Sequence, residues 1–109
     1  MPMTIADFNN IISSDRLILI DFYATWCGAC RAIDPSLDRI ALTMGDSITL
    51  IRIDIDSTSS YEIARFYNIV SVPTLMLFQY GKPIWRESGV ISYERLQLAM
   101  RRYQNVETY

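Results

Sequence analysis

The sequence predicts a three-layer α/β domain, in which helices cover both faces of one sheet. Segments with apolar residues at helical spacing alternate along the chain with short strand-like runs, which is typical of folds where helices link the strands of a sheet. The first such run, 17–23, is apolar on both faces apart from Asp21. That pattern indicates a central strand that is covered on both sides.

Size and charge narrow the classes of function. The chain has 109 residues, half of them hydrophobic, which is enough for one ordinary domain spanning residues 1–109 with a core of its own. The net charge is −2, and the basic residues are scattered. We therefore expect neither nucleic acid nor a membrane surface as a partner.

The first residues, 1–4, do not resemble a signal peptide, because no positive start and no long apolar run precede a cleavage site. No apolar run reaches the length of a membrane span. We therefore expect a cytoplasmic protein.

Four helices are predicted from the apolar spacing. In chain order they begin at the capping box 4–7, at Gly28, at a second capping box 59–62 and at Ser92. The first is expected to end at Asp15-Arg16, the second near Met44 after a kink at Pro35, and the third at Asn68. The segment after Met100 carries no motif and is expected to fray.

Four strands alternate with these helices, at 17–23, 48–55, 74–78 and 84–88. The first three are expected to be parallel, because helices connect them. The last two form a hairpin through the turn 80–82, and Pro83 suits the start of an edge strand.

The two cysteines, Cys27 and Cys30, have C-x-x-C spacing and fall where the first strand ends and a helix begins. Helix N-termini favour thiolate over thiol, and thiolate is the nucleophile of disulfide exchange. The pair can therefore cycle between dithiol and disulfide. The chain contains no histidine, which excludes Cys-His and Ser-His-Asp catalysis.

Two other interpretations of the cysteines remain open. Both could pack in the core as small hydrophobic residues. A metal site would need about four ligands, which this chain could provide only together with a second chain, so we expect no metal.

Asp21 interrupts an otherwise apolar strand, and a buried carboxylate is costly. Burial should raise its pKa toward neutrality, which suits proton transfer with a thiol. We therefore expect Asp21 to accept the proton of Cys30, directly or through a water. The alternative is a solvated carboxylate at the end of the strand, or a structural ion pair with Arg52.

Several segments together resemble the thioredoxin family over nearly the whole chain. They are the active-site segment 21–30, Pro35 in the following helix, the strand 52–56, the loop Val72-Pro73-Thr74, Gly81 in the hairpin and the loop 88–90. The resemblance implies the three-layer thioredoxin fold, with a central mixed sheet of four to five strands.

The resemblance also implies roles for single residues. Cys27 would be the attacking thiol, Cys30 the resolving thiol and Asp21 the buried acid and base. The loop residue Pro73 would be cis and would face the cysteines. An apolar surface for substrates would include Trp26, Gly28, Ala29, Val72, Pro73, Gly89 and Val90, although Trp26 could instead be a core residue.

The implied function is a general protein-disulfide reductase in the cytoplasm. Such a protein passes two electrons from a thioredoxin reductase to disulfide-bearing client proteins, and it needs no cofactor beyond its cysteine pair. Two alternatives stay open: a more oxidising disulfide oxidase or isomerase, and a thioredoxin-fold adaptor without catalysis.

The chain departs from the family pattern in three places. Ala29 replaces the usual proline and frees a backbone N–H near the sulfurs, so we expect a somewhat more oxidising pair than in a typical thioredoxin. Arg52 replaces a common lysine and would lower the pKa of Asp21, which opposes the effect of burial. The chain before Thr4 is too short for a full first strand.

Overall fold

The computed structural model describes residues 3–104, and residues 1–2 and 105–109 lie outside this range. Helices and strands alternate in the described range as the sequence predicts. In chain order they are α1 (Ile5–Ile12), β1 (Leu17–Tyr23), α2 (Gly28–Met44), β2 (Ile48–Asp54), α3 (Tyr61–Phe66), β3 (Thr74–Gln79), β4 (Lys82–Ser88) and α4 (Tyr93–Gln104).

The strands form one mixed sheet in the order β2-β1-β3-β4. β1 pairs with β2 in parallel and with β3 in antiparallel orientation, and β4 pairs antiparallel with β3. Helices flank the sheet on both faces, which confirms the predicted fold class. Within residues 3–104 the sheet has four strands, the lower number of the prediction.

The direction of β3 contradicts the expectation of a third parallel strand. α3 has six residues and spans roughly 9 Å, whereas the seven residues of β2 span roughly 23 Å. α3 therefore does not by itself carry the chain back to the edge where β1 and β2 begin. β3 starts instead at the edge where those two strands end, and it runs in the opposite direction.

Both faces of β1 are covered, as its apolar pattern predicts. Leu17 and Leu19 belong to the core cluster that packs against α2 and α4. Ile18 and Ile20 belong to the cluster that packs against α1 and α3. Successive residues of a strand point to opposite faces, so Asp21 lies on the face covered by α2.

The predicted helix starts are correct for α1 and α4. The Asp7 N–H donates to Thr4 Oγ1 and the Thr4 N–H donates to Asp7 Oδ2, both at 3.1 Å, which completes the capping box. Ser92 Oγ accepts the N–H of Arg95 at 3.2 Å. These caps satisfy backbone groups that have no partner inside the helix.

The capping box predicted at 59–62 is wrong. Residues Thr58–Ser60 form a 3-10 turn, and α3 begins at Tyr61 without a side-chain cap. The Ser59 hydroxyl pairs with the Ser57 hydroxyl at 2.9 Å, so it is engaged before the helix starts. A local side-chain contact has replaced the cap.

Helix ends and turns agree in part with the prediction. α1 ends at Ile12, before Asp15-Arg16. Asn68 has the predicted left-handed backbone, with φ 55°. α4 continues through Gln104, whose Nε2 donates to Ser47 Oγ at 3.0 Å, so residues 101–104 do not fray as expected. Residues 105–109 of the same prediction lie outside the described range.

The β3–β4 turn is tied to the end of α1. Tyr80 and Gly81 have positive φ angles of 54° and 79°. Their N–H groups donate to the carbonyls of Ser14 and Ile12 at 2.9 and 2.8 Å. The hairpin therefore closes the end of the molecule that lies away from the cysteines.

Within residues 3–104, no helix has both the length and the apolar character that crossing a bilayer would require.

Replacing Phe8 by alanine should destabilise the fold strongly. Phe8 is fully buried, and its ring contacts those of Phe78 and Tyr67 at centroid distances of 5.5 Å. We expect a loss of roughly 3–5 kcal/mol in the free energy of unfolding, measured by urea denaturation. Leu42→Ala is the matched control, because Leu42 is 84 % exposed and its truncation should cost under about 0.5 kcal/mol. Similar losses in both variants would contradict the described core.

Candidate active site

Cys27 and Cys30 form a disulfide at the N-terminus of α2. Cys27 is the N-cap of the helix, and its Sγ accepts the backbone N–H of Cys30 at 3.0 Å. The free N–H groups and partial positive charge of a helix start favour negative charge on this sulfur once the bond is reduced. The bond contradicts the alternative of two unpaired core cysteines.

The loop before β3 lies against the cysteines. The Val72-Pro73 peptide bond is cis, as the family resemblance implies, and Val72 packs on the cysteine pair. The Val72 carbonyl oxygen lies 3.7 Å from Cys27 Sγ. A disulfide sulfur carries no proton, so this is a polar contact in the oxidised protein. It would become a hydrogen bond if Cys27 were a thiol.

The loop after β4 is tied to the same place. The Gly89 N–H donates to the Pro73 carbonyl at 2.9 Å, and the hydroxyls of Thr74 and Ser88 are 2.8 Å apart. Gly89 has φ 91°, a conformation that favours glycine. The structure thus joins Gly89 to Pro73 and, through Val72, to the cysteines.

Trp26 lies at the rim of the site and is 68 % exposed, so the alternative of a core tryptophan is wrong. Its indole Nε1–H donates to Asp56 Oδ2 at 2.6 Å. The Asp56 N–H in turn donates to Asp54 Oδ1 at 2.9 Å. No role at the site was predicted for Asp56 from the sequence. The sequence feature that could have indicated this role is a carboxylate directly after a strand that ends beside the cysteines.

The other residues of the predicted substrate surface are exposed at the same end of the sheet. Gly28 and Ala29 are the first two residues of α2, and Val90 directly follows Gly89. Val90 is 59 % exposed. Together with Trp26 they leave an open apolar rim around two nearly buried sulfurs.

Asp21 is the buried carboxylate of the site, with a side chain that is 1 % exposed. Neither of its oxygens accepts a hydrogen bond from any residue in the described range. Burial raises the pKa of Asp21 to about 6, Arg52 acts to lower it, and Asp34 acts to raise it. Desolvation of the carboxylate therefore outweighs the nearby guanidinium. The sequence predicts that burial and Arg52 shift the pKa of Asp21 in opposite directions, and the effect of burial is the larger one.

Arg52 contacts three carboxylates at the back of the site. Its Nη2 lies 2.9 Å from Asp38 Oδ1, and its Nε lies 3.7 Å from Asp34 Oδ1 and 3.6 Å from Asp21 Oδ2. The group adjoins a groove of about 460 Å³ lined by Tyr23, Ala24, Thr25, Cys30, Arg31, Asp34, Asp38 and Arg52. Asp34 and Asp38 were not predicted as site residues from the sequence. The sequence feature that could have identified them is their spacing, since they follow Cys30 by four and eight residues on one helix and so share its face.

In the part of the chain that the structure describes, no group of three or more cysteine, aspartate or glutamate side chains is arranged to hold a metal ion.

Comparisons with known proteins agree with this geometry. The family model for thioredoxin matches residues 1–102. Thioredoxin from Mycolicibacterium smegmatis is 40 % identical over 80 residues, covering 73 % of this chain and 71 % of that protein. The bifunctional thioredoxin reductase/thioredoxin from Mycobacterium leprae is 40 % identical over 82 residues, covering 75 % of this chain and 18 % of that protein.

A solved structure of Malassezia sympodialis thioredoxin superposes with a TM-score of 0.84 at 30 % identity, covering 94 % of this chain and 89 % of that chain. The chain belongs to the thioredoxin family, and it is a thiol–disulfide oxidoreductase.

The buried carboxylate should make the stability of the oxidised protein depend on pH. The folded-state pKa of Asp21, about 6, exceeds the ordinary value of 3.8, so the folded state binds this proton more tightly than the unfolded chain does. Its contribution to stability is complete below about pH 4 and is lost as the pH rises through 6. Two pH units correspond to roughly 3 kcal/mol.

Asp21→Asn has no ionisable group at this position, so its stability should not fall in this way as the pH rises through 6. Urea denaturation of both proteins between pH 3.5 and 7.5 should show a gap in unfolding free energy that changes by roughly 3 kcal/mol across the window. The exposed Asp46 supplies the control, Asp46→Asn. A gap that stays constant with pH would mean that Asp21 titrates normally.

Proposed function

We propose that residues 1–109 act as one thioredoxin domain and as a general protein-disulfide reductase of the cytoplasm. One observation carries the proposal. A Cys27–Cys30 disulfide caps the start of α2, and a backbone carbonyl lies 3.7 Å from Cys27 Sγ at an open apolar rim. A bonded pair beside an accessible main-chain acceptor suits exchange with the disulfide of an extended peptide.

Cys27 is the attacking residue in this proposal. In the reduced protein its thiolate attacks one sulfur of a client disulfide, a new Cys27–client bond forms, and the other client sulfur leaves as a thiolate. Its position at the N-cap of α2 supports this role, because the helix start favours the charged sulfur before the attack.

Cys30 resolves the mixed disulfide. It loses its proton to the Asp21 carboxylate and attacks the sulfur of Cys27, so that the Cys27–Cys30 bond forms and the Cys27–client bond breaks. The second client sulfur leaves as a thiolate and takes up a proton from solvent. An acid with a pKa of about 6 is largely ionised at pH 7 and can accept this proton. Two electrons pass to the client, and the pair ends as the disulfide.

The client would bind at the rim around the cysteines. The Val72 carbonyl would accept a backbone N–H of an extended client segment. Apolar client side chains would contact Trp26, Gly28, Ala29, Gly89 and Val90, which are exposed, whereas Pro73 is buried and would support the loop rather than offer contact area. Exposed apolar groups and one main-chain bond recognise no particular sequence, which suits a general reductase.

A thioredoxin reductase is the proposed electron donor. The Mycobacterium leprae relative joins a thioredoxin reductase and a thioredoxin in one protein, which supports this pairing. Nicotinamide and flavin would belong to the reductase, and this chain would need no cofactor beyond its cysteine pair. We propose the cytoplasm because a reductase works where a donor keeps its thiols reduced.

Cys30→Ser should trap a client on the protein. With NADPH, a thioredoxin reductase and insulin as the disulfide substrate, the wild type should speed insulin reduction. Cys30→Ser should accumulate a Cys27–insulin disulfide that mass spectrometry detects. Cys27→Ser should do neither, because the attacking sulfur is absent. Insulin reduction by Cys27→Ser at the wild-type rate would refute the proposal, and a redox-inert wild type would favour the adaptor.

The reduction potential should separate a reductase from an oxidase. We expect a value less negative than the −270 mV or so of a typical thioredoxin, yet more negative than about −220 mV, measured against glutathione by the fluorescence of Trp26. The matched variant Ala29→Pro should shift it by roughly 30 mV toward more negative values, because proline removes an N–H near the thiolate. A wild-type value at or below −270 mV would contradict the effect of Ala29, and one near −120 mV would favour an oxidase.

A further inference from the structure

The guanidinium of Arg52 lies within ion-pair distance of three carboxylates, those of Asp21, Asp34 and Asp38. Its close contact is with Asp38, where Nη2 donates to Oδ1 at 2.9 Å. The distances from Nε to Asp21 and Asp34, 3.6 and 3.7 Å, are those of ion pairs without a hydrogen bond. The most exposed of the three carboxylates, at 66 %, therefore holds the arginine.

The backbone places Arg52 directly beside the buried acid. Asp21 and Arg52 are register partners in the parallel β1–β2 pair. Asp34 and Asp38 approach from α2, where they follow Cys30 at intervals of four residues and so share one helix face. Arg52 thus lies between a buried carboxylate on the sheet and two carboxylates on the helix, of which Asp34 is half-buried and Asp38 is exposed.

Asp21 accepts no hydrogen bond from Arg52. Its oxygens accept no hydrogen bond within the described residues, although a guanidinium with five N–H donors lies 3.6 Å away. Closing that distance to the 2.9 Å of the Asp38 contact would need a movement of about 0.7 Å. An arginine that is free to move would close it, since charge-assisted hydrogen bonds to a buried carboxylate are strong.

We propose that Asp38 is a positioning residue, which holds the Arg52 guanidinium at the mouth of the groove and keeps it from closing onto Asp21. The proposal deepens the function proposed above and rests on it for its catalytic meaning. Asp38 touches neither the sulfurs nor a client, and it acts only through Arg52.

The consequence is a carboxylate that works as a base near neutral pH. If Arg52 closed onto Asp21, the acid would bind a proton less readily and would be a weaker acceptor for Cys30. The charged and titratable side chains that line the groove beside Arg52 are Arg52 itself from β2, Cys30, Arg31, Asp34 and Asp38 from α2, and Tyr23 from β1. On β3, the register partner of Asp21 is the apolar Leu75.

The test is a titration of Asp21 itself. Carbon-13 NMR of the side-chain carboxyl is followed against pH in the oxidised protein, where the cysteines do not titrate. Asp38→Asn should lower the pKa of Asp21 from about 6 by roughly one pH unit, because Arg52 is released toward it. Asp38→Glu keeps the charge and should titrate like the wild type.

A double variant separates positioning from a direct effect of charge. In the Arg52→Met background, Asp38→Asn should leave the Asp21 titration unchanged, because the group through which Asp38 acts is missing. Asp46→Asn removes an exposed charge elsewhere and should also have no effect. An unchanged or raised pKa in Asp38→Asn would overturn the proposal, as would an equal downward shift with and without Arg52.

The kinetic readout keeps this proposal distinct from the proposed function. The acidic limb of the pH–rate profile for insulin reduction should move to lower pH in Asp38→Asn by the same amount as the titration. If the wild type reduces no insulin, the proposed function fails, while the NMR titration still decides whether Asp38 positions Arg52.

Discussion

The burial of β1 on both faces is the constraint on which the site depends. Helices cover the strand on each side, so a carboxylate placed within it loses its water without gaining a hydrogen bond from the described chain. The same burial fixes where the strand ends and where α2 begins, and it therefore sets the position of Cys27 relative to Asp21. If β1 were open to water on the face that carries Asp21, the acid would titrate like any surface aspartate.

Charges of both signs surround Asp21, and their effects on its pKa partly cancel. A single arginine beside a buried carboxylate would ordinarily hold it ionised, yet desolvation by burial outweighs Arg52 and raises the pKa of Asp21 to about 6, and Asp34 adds to the increase. Two further carboxylates from α2 share that arginine, and the closest of them is largely in water. Residues of α2 and of the β1–β2 pair together therefore set the proton equilibrium of Asp21, and neither element could set it alone.

Much of the fold could be predicted because local patterns decide it. The apolar run of β1, the capping box of α1, the Ser92 cap of α4 and the positive φ of Asn68 each follow from a few neighbouring residues. The direction of β3 could not, since it depends on the path of the whole connection 55–73, of which α3 is only six residues. At the site, the C-x-x-C spacing identified Cys27 and Cys30, whereas the partner of Trp26 is Asp56, thirty residues away. Asp38 was missed for a similar reason, because its contact with Arg52 joins α2 to β2.

The antiparallel pairing of β1 with β3 has a consequence for synthesis of the chain. Phe22 pairs with Thr74 and Ile18 with Phe78, so the partner strand leaves the ribosome more than fifty residues after β1. Until then one edge of an almost wholly apolar strand has no partner. An unpaired apolar edge can join another nascent chain. The early helices α1 and α2 would cover the two faces of β1 during that interval, so that only its edge stays open until β3 pairs with it.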